Sequence, residues 1–346
     1  MILTSLDQVV SKPLQVVTMF AGRGSMIARD AESVEYRDDS GRIFHFGQHA
    51  EQSLAKRLDI APGYMARCPA ELRTMNYNYW MKRSGDLGLV ARRVGQGEYD
   101  ILSVALSGFV PVENGTLVRM LAETLMPVLK RSGCELGDLK LVRSAQDDGT
   151  GRLALNLVLP GGRHVGARSV GDVVECGFHL LSDPAGDVGL KLTPYYLRLV
   201  CSNGMTAFHG VPHARWTRRR GPGGNDRELR AWMAEIVSSI EGGIWDEHFH
   251  QMDVLADSPV DRDLATQLIR NLGRRFGDSH LTRSVQRRRE DEHAASETYW
   301  NLVNYFSGAA HSQDDTDHIR LEAMAGRALE DLHHLQYCDT CHRPLS

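Results

Sequence analysis

The chain has 346 residues, of which 42% are hydrophobic and 24% charged, and its formal net charge is -4 at pH 7. This composition is typical of a globular protein with one large or two smaller domains, and the negative charge excludes a uniformly basic coat for nucleic acid. Every apolar run is shorter than the roughly 18 residues of a membrane helix, and Met1 to Met19 lacks the order of a secretory signal. We therefore expect a cytoplasmic protein with no membrane partner.

Periodicity divides the first 210 residues into strands and a few helices. Helices are predicted over Gln48 to Leu58, Pro69 to Trp80 and Thr116 to Arg131. Strands are predicted over Gln15 to Phe20, Arg42 to Phe46, Gly88 to Val94, Glu98 to Val112, Leu139 to Arg143, Leu153 to Leu159, His164 to Val165, Asp172 to Ser182 and Gly189 to Cys201. Short turns join most of these strands, which favours an antiparallel sheet over a Rossmann or P-loop architecture.

The character of the chain changes after Gly210. Residues 211–226 are rich in arginine, glycine and proline, which predicts an irregular basic loop. Helices are then predicted over Arg227 to Ile240, Asp261 to Phe276, Ser296 to Phe306 and Asp317 to His334. We expect an α+β core domain at 1–210, the basic loop at 211–226, a helical subdomain at 227–335 and a Cys/His tail at 336–346. A twisted antiparallel sheet of this kind should carry helices on one face and leave the other free.

Four stretches of the sequence, taken in order, resemble one known family. They are FGQHAEQSLAKRLDIAPGYMARCP (46–69) with NYNYWMKR (76–83), VALSGFVPVEN (104–114), VVECGFHLLSDPAGDVGLKLTPYYLRLVCSNGM (173–205) and WNLVNYFSGAAH (300–311). Together they are similar to domain-of-unknown-function family 932, whose members are encoded by phages, plasmids and integrated elements. The resemblance implies a mobile-element setting. It transfers no catalytic residue, because the family has no assigned activity.

Within the third stretch, Cys201 lies in an apolar run that ends at Asn203-Gly204, a pair that predicts a turn. The apolar neighbours of Cys201 indicate a buried thiol with a raised pKa. The alternative is a nucleophile with His179 or His209 as its base and Cys176 on a neighbouring strand.

Two arginine clusters give the strongest functional signal. The first consists of Arg215, Arg218, Arg219 and Arg220 with Trp216 among them, and the second of Arg274, Arg275, Arg283, Arg287, Arg288 and Arg289. Guanidinium groups bind phosphates through paired hydrogen bonds, and an interleaved aromatic ring can stack on an unpaired base. Two such clusters on one face would form a groove for a single strand. The alternative is that these arginines are solvated and balance the acidic stretches at 290–292 and 314–317.

Two groups of residues have the composition of metal sites. Cys338, Cys341 and His342, with His333 or His334 one helical turn upstream, have the spacing of a structural zinc site. The same CDTCH motif matches c-type haem attachment, although that chemistry belongs to exported proteins, and a tail without any ligand is the remaining alternative. Divalent-metal chemistry of the nuclease type is the hypothesis for a second group, Asp246, Glu247, His248, His250 and His311.

The arginine clusters predict a protein that binds nucleic acid, DNA rather than RNA, without a chemical step. In the mobile-element setting that the resemblance implies, it would act in replication, recombination or single-strand annealing. A metal-dependent nuclease or other hydrolase is one alternative. A host-directed protein that counters defence systems by binding a partner's basic surface is another. The sequence leaves the oligomeric state open, and a homo-oligomer is among the states it allows.

Overall fold

The computed structural model describes residues 15–19, 24–106, 112–147, 151–166, 172–183, 190–199, 203–206, 215–216, 226–276, 279–292, 297–310 and 315–337. Within these ranges the chain forms two β-sheets, helices that pack on them and a helical C-terminal region. The expected α+β class is confirmed. No helix in the described ranges has both the length and the apolar character needed to cross a membrane.

The elements of the described ranges have the following bounds. The strands are β1 Gln15–Met19, β2 Gly24–Ala28, β3 Val34–Asp38, β4 Ile43–Phe46, β5 Leu87–Gly95, β6 Glu98–Leu106, β7 Lys140–Gln146, β8 Leu153–Val158, β9 Arg163–His164, β10 Val173–Ser182, β11 Leu190–Arg198, β12 Asn203–Thr206 and β13 Arg215–Trp216. The helices are α1 Gln48–Arg57, α2 Pro62–Met65, α3 Ala70–Met81, α4 Asn114–Arg131, α5 Asp226–Ser239, α6 Trp245–Asp257, α7 Arg262–Phe276, α8 Ser279–Glu292, α9 Tyr299–Ala309 and α10 Asp315–Tyr337.

The first sheet contains β1 to β6 in the order β1-β5-β6-β4-β3-β2. Its predicted β5–β6 hairpin turns at Gln96 and Gly97, where Gly97 has a φ of 80°, a conformation that glycine adopts without steric cost. The pair β4–β6 is parallel, which differs from the expected wholly antiparallel arrangement. Helices α1 and α3 cover one face, and their Leu54 and Tyr77 share a core with Leu89 of β5.

The second sheet has the order β12-β11-β10-β8-β7, with β13 beside β11 and β9 beside β10. Side chains along each strand alternate between its two faces. The apolar face is built from Leu153, Leu155, Leu157, Phe178, Leu180, Leu190 and Leu192. Helices α4 and α5 cover this face, because Leu125 and Ile236 belong to the same core.

The C-terminal helices pack on a further part of the apolar face of the second sheet. Val174, Tyr196 and Met205 of the second sheet lie in one hydrophobic core with residues of α6 to α10. Helices α6 and α8 were not predicted. The sequence of α8 contains only two aliphatic residues, Leu281 and Val285, so it lacks the apolar stripe that periodicity detects.

The opposite face of the second sheet, here called the polar face, was expected to be free. Instead, Asn156, His179, Thr193 and Tyr195 on this face are at most 5% exposed. Helix α10 reaches the same face through Glu322, which hydrogen-bonds to Asn156 and Tyr195. An open groove across this part of the sheet is therefore excluded.

Candidate functional site

Helices α7 and α8 form an antiparallel pair, which we call the basic hairpin. Its inner side is apolar and consists of Leu268, Ile269, Leu272, Leu281 and Val285, all buried in the C-terminal core. The helices are in close contact at Gly273, where a Cβ would overlap Thr282 Oγ1. Because glycine permits this approach, the two helices lie side by side and their outer surfaces adjoin.

The outer side of the basic hairpin carries arginines. Arg270 and Arg274 are exposed one turn apart on α7, and Arg283 and Arg287 are exposed one turn apart on α8. Arg270, Arg274 and Arg287 form no ion pair with any residue in the described ranges. These three guanidinium groups therefore keep their hydrogen-bonding capacity for a ligand.

Charge is unevenly distributed along the basic hairpin. Its acidic residues are Asp263, Glu290, Asp291 and Glu292, at the start of α7 and the end of α8. Since the helices run antiparallel, these positions share the end opposite the connection at 277–278. The connection itself contains Asp278, which lies outside the described residues. The part of the described hairpin nearer the connection is locally positive, although the chain as a whole carries a net charge of -4.

Arg289 belongs to the interior of the hairpin. Its guanidinium donates to the two carboxylate oxygens of Glu297 at 2.6 and 2.5 Å and to Thr266 Oγ1 at 2.6 Å. Arg288 pairs with Glu292 at 2.6 Å. Both arginines were predicted to contact nucleic acid, but these contacts occupy them within the protein, and we leave them out of the candidate interface.

Only two residues of the first predicted arginine cluster lie in the described ranges. Arg215 and Trp216 form β13, in register with Lys191 and Leu190 of β11. Arg218, Arg219 and Arg220 lie outside the described residues, and the side chain of Arg275 does so as well. The contribution of these residues to binding stays a prediction.

One residue predicted for a nuclease-type metal site faces away from the others. On α6, His248 is fully buried, and its Nδ1 lies 2.6 Å from the Tyr196 hydroxyl. Asp246, Glu247 and His250 are exposed, and Asp246 pairs with Arg163 at 3.2 Å. Asp246 and Glu247 lie one helical turn before His250 and share its solvent side, which His248 does not reach.

Across the described part of the chain, no group of three His, Cys, Asp or Glu side chains is placed to hold a metal ion. His311 and the tail residues Cys338, Cys341 and His342 lie outside the described residues, as does the side chain of His334. The zinc hypothesis therefore stays a prediction.

Cys176 is unsuited to nucleophilic chemistry. Burial raises the pKa of its thiol to about 12. His179, three residues further along β10, faces the opposite side of the sheet and cannot act as its base. Cys201 and His209 lie outside the described residues.

A row of polar residues crosses four strands of the polar face, and of its members the sequence analysis named only His179. In register across β7, β8, β10 and β11, Arg143 pairs with Asn156, Asn156 with His179, and His179 with Thr193. Directly paired residues of antiparallel strands have their side chains on the same face. Thr193 is fully buried, and its Oγ1 has no hydrogen-bond partner among the described residues.

Glu322 of α10 completes a hydrogen-bonded group, which we call the polar cluster. Its Oε2 accepts from Asn156 Nδ2 at 3.2 Å, and its Oε1 accepts from the Tyr195 hydroxyl at 3.0 Å. His318 Nε2 lies 3.3 Å from the same Oε1. His179 Nδ1 lies 2.6 Å from Asn156 Oδ1. Because Asn156 gives its amide protons to Glu322, its oxygen must accept, and His179 therefore carries its proton on Nδ1.

Burial and charge set the protonation states of the polar cluster. Burial lowers the pKa of His179 to about 4; Glu322 acts in the opposite direction, whereas Lys191 and Arg143 add to the lowering. Burial alone would raise the pKa of Glu322, but His318, His179 and the hydrogen bond from Tyr195 together outweigh it, and the pKa lies below its usual value. At neutral pH His179 is thus neutral and Glu322 is ionised.

Gly204 packs directly against this cluster, and its lack of a side chain leaves room for it. The predicted turn at Asn203-Gly204 is wrong, because both residues belong to β12, antiparallel to β11. A Cβ at Gly204 would overlap the Tyr195 hydroxyl and Glu322 Oε1. The glycine is needed here for the space that the Tyr195–Glu322 hydrogen bond occupies.

A cleft of about 550 Å³ lies beside the first sheet. Asp30, Glu32 and Glu51 are among its lining residues, and Arg73 within it pairs with Glu51 at 3.2 Å. Burial raises the pKa of Glu51, and Arg73 opposes this effect. The acidic lining disfavours phosphate, so the cleft is not part of a nucleic-acid interface.

Comparison of the chain with protein-family models, curated proteins and solved structures gives no match. The resemblance to domain-of-unknown-function family 932 therefore stays a prediction.

Proposed function

We propose that this chain is a cytoplasmic, non-catalytic nucleic-acid-binding protein of a phage- or plasmid-like mobile element, acting in replication, recombination or single-strand annealing. The observation that carries the binding proposal is the outer side of the basic hairpin, where Arg270, Arg274 and Arg287 are exposed and free of ion pairs within the described ranges. The mobile-element setting rests on the sequence resemblance.

The chemistry of this surface suits phosphates. A guanidinium group donates two parallel hydrogen bonds to one phosphate, and it remains charged at every physiological pH. Arginines one turn apart on a helix lie about 5–6 Å from each other at Cβ, so neighbouring groups can bind successive phosphates. Contacts of this kind read no sequence, and we expect binding that depends on salt more than on base composition.

The test replaces the three arginines together, as Arg270→Ala, Arg274→Ala and Arg287→Ala. Affinity for labelled DNA and RNA, single-stranded and duplex, is measured by fluorescence anisotropy over a series of salt concentrations. Each phosphate contact contributes about 0.9 to the slope of log K against log salt on duplex DNA. We therefore expect weaker binding at low salt and a slope reduced by up to about 3.

A matched control removes the same charge elsewhere. Arg93, Arg119 and Lys130 are exposed on other elements, and their joint replacement by alanine changes the net charge equally. If the two triple variants lose affinity to the same extent, binding follows net charge and the hairpin has no special role. Absence of any binding by the unaltered protein at low salt would refute the proposal outright.

Adjacent arginines provide a second control. Arg289→Ala breaks the buried pair with Glu297, and we expect it to lower the free energy of unfolding by about 3 kcal/mol. Arg287→Ala should leave that free energy within about 0.5 kcal/mol of the unaltered value and affect only binding. Chemical unfolding of the two variants distinguishes the structural arginine from the binding one.

A further inference from the structure

Helix α3 has an outer face that is apolar and aromatic. Its inner face, formed by Ala70, Thr74, Tyr77 and Met81, is buried against the first sheet. The outward side chains Leu72, Met75, Tyr79 and Trp80 are 39%, 68%, 53% and 45% exposed, and Tyr64 of α2 is 45% exposed. These five account for half of the ten large hydrophobic side chains that are exposed in the described ranges. We call this group the aromatic surface.

The aromatic surface is flanked by cations. Arg67, Lys82 and Arg83 are all exposed, and none forms an ion pair with a residue in the described ranges. On α3 itself the one exposed carboxylate is Glu71, in the first helical turn. The surface thus joins large rings to positive charge, which a solvated helix face does not require.

The rings are held in positions suited to stacking. Arg83 places its guanidinium 3.7 Å from the centroid of the Tyr79 ring, and it also donates to the Tyr79 carbonyl at 3.0 Å. The Tyr79 and Trp80 rings meet edge to face, with centroids 5.4 Å apart and an interplanar angle of 85°. A planar cation already lies over the face of Tyr79, and a nucleobase is also a planar group that can lie against an aromatic ring.

We propose that the aromatic surface binds an unpaired nucleic-acid strand, with bases stacked on Tyr79 and Trp80 and phosphates held by Arg67, Lys82 and Arg83. The bases of a duplex are stacked on each other and cannot reach these rings, so the site selects single strands. This inference rests on the proposed nucleic-acid function and adds a preference for single strands. It places that preference on a different part of the molecule from the basic hairpin.

The test uses an oligothymidylate of about 15 nucleotides and a duplex of the same length. Stacking on Trp80 should quench tryptophan fluorescence when the single strand is added. Trp80→Phe should abolish that change but retain affinity, because phenylalanine keeps a stacking ring. Tyr79→Ala with Trp80→Ala should weaken single-strand binding about tenfold or more and leave duplex binding within about twofold.

Two further variants act as controls. Tyr79→Phe retains the ring and should bind as the unaltered protein does. Val94, 51% exposed on β5, provides an apolar surface residue whose replacement by alanine should change nothing. Because all these side chains are exposed, the variants should fold, and circular dichroism confirms this directly.

Three outcomes overturn the inference. One is single-strand binding that the double alanine variant leaves unchanged. Another is binding without any change in the fluorescence of Trp80. The third is a double variant that alters the oligomeric state in sedimentation without altering affinity for the strand, which would identify the surface as a protein interface. None of these outcomes contradicts the proposal for the basic hairpin, because that proposal is tested separately by the salt dependence of duplex binding.

Discussion

The two faces of the second sheet are built from the same strands but held together by different forces. On β10, Phe178 points into a core of leucines under α4 and α5, and its neighbour His179 points into the polar cluster under Glu322. The apolar face is stabilised by area removed from water, which tolerates small changes of shape. The polar face depends on hydrogen bonds, in which the donors Asn156 and Tyr195 share the carboxylate of Glu322.

Burial has a different meaning on each face of this sheet. Asn156, His179 and Tyr195 hydrogen-bond within the polar cluster, whereas Thr193 Oγ1 has no partner among the described residues. The proposed binding chemistry lies instead on two helical faces, the basic hairpin and the aromatic surface. Changes to either sheet face should therefore alter stability, and changes to the helical faces should alter binding.

The largest effect is expected on the apolar face. Phe178 is completely buried, and Phe178→Ala should lower the free energy of unfolding by about 4 kcal/mol through lost burial and a residual cavity. Because no ionisable group is removed, the loss should be the same at pH 5 and pH 8. Urea unfolding at both values checks this. A loss that varies with pH would show that the two faces are energetically coupled.

On the polar face, Gly204→Ala forces a methyl group into the space of the Tyr195–Glu322 hydrogen bond. We expect a loss of about 3 kcal/mol from overpacking and a broken bond to a charged acceptor. Gly242→Ala is the matched control, since nothing lies within 4 Å of a Cβ at that position. Equal unfolding midpoints for the two variants would contradict the assigned role of Gly204.

The third prediction concerns the polar face and the pH dependence of its contribution to the free energy of unfolding. Folded His179 takes up a proton only near a pKa of about 4, whereas an unfolded histidine does so near 6.5. Between these values the unfolded state binds the proton and the folded state does not, so stability falls as the pH decreases. From pH 7 to pH 5 the loss from this group should be about 2 kcal/mol.

Chemical unfolding of the unaltered protein and of His179→Gln over this pH range measures that slope. The slope should be shallower in the variant. His250→Gln, which changes an exposed histidine on α6, should keep the full slope. If His179→Gln keeps it too, the imidazole of His179 is not the group that titrates.

The sequence predicted much of the second sheet and little of its polar face. The predicted spans of β10 and β11 lie within two or three residues of the observed strands, because apolar residues in short runs between turns are a local signal. His179 was noticed only as a candidate base, and Asn156 could have been noticed as a polar residue inside an apolar strand. The carboxylate that accepts from Asn156 and Tyr195 could not, since Glu322 follows Asn156 by 166 residues and no local pattern joins them.

The two proposed binding surfaces show the same limit of prediction from the sequence. Clustering predicted Arg274 and Arg287 but missed Arg270, which is separated from the cluster in the sequence and adjoins it only one helical turn away. It also did not predict that Arg289 would turn inward to Glu297 while Arg287 stayed exposed. Two residues apart on a helix, Arg287 and Arg289 differ by about 200° in direction, and only the packing of α8 decides which one faces solvent. The rings of α3 were visible in the sequence, yet their exposure depends on which helical face meets the first sheet.

The late position of Glu322 has a consequence for biosynthesis. Strands β8 and β11 leave the ribosome long before α10, since Tyr195 and Glu322 are 127 residues apart in the chain. Until the last helix emerges, the nascent sheet lacks the carboxylate to which Asn156 and Tyr195 donate. Contacts of such long range are slow to form, because a large loop must close first. We expect docking of α10 to be the last step of folding, and the incomplete sheet before it to be the species that most needs a chaperone.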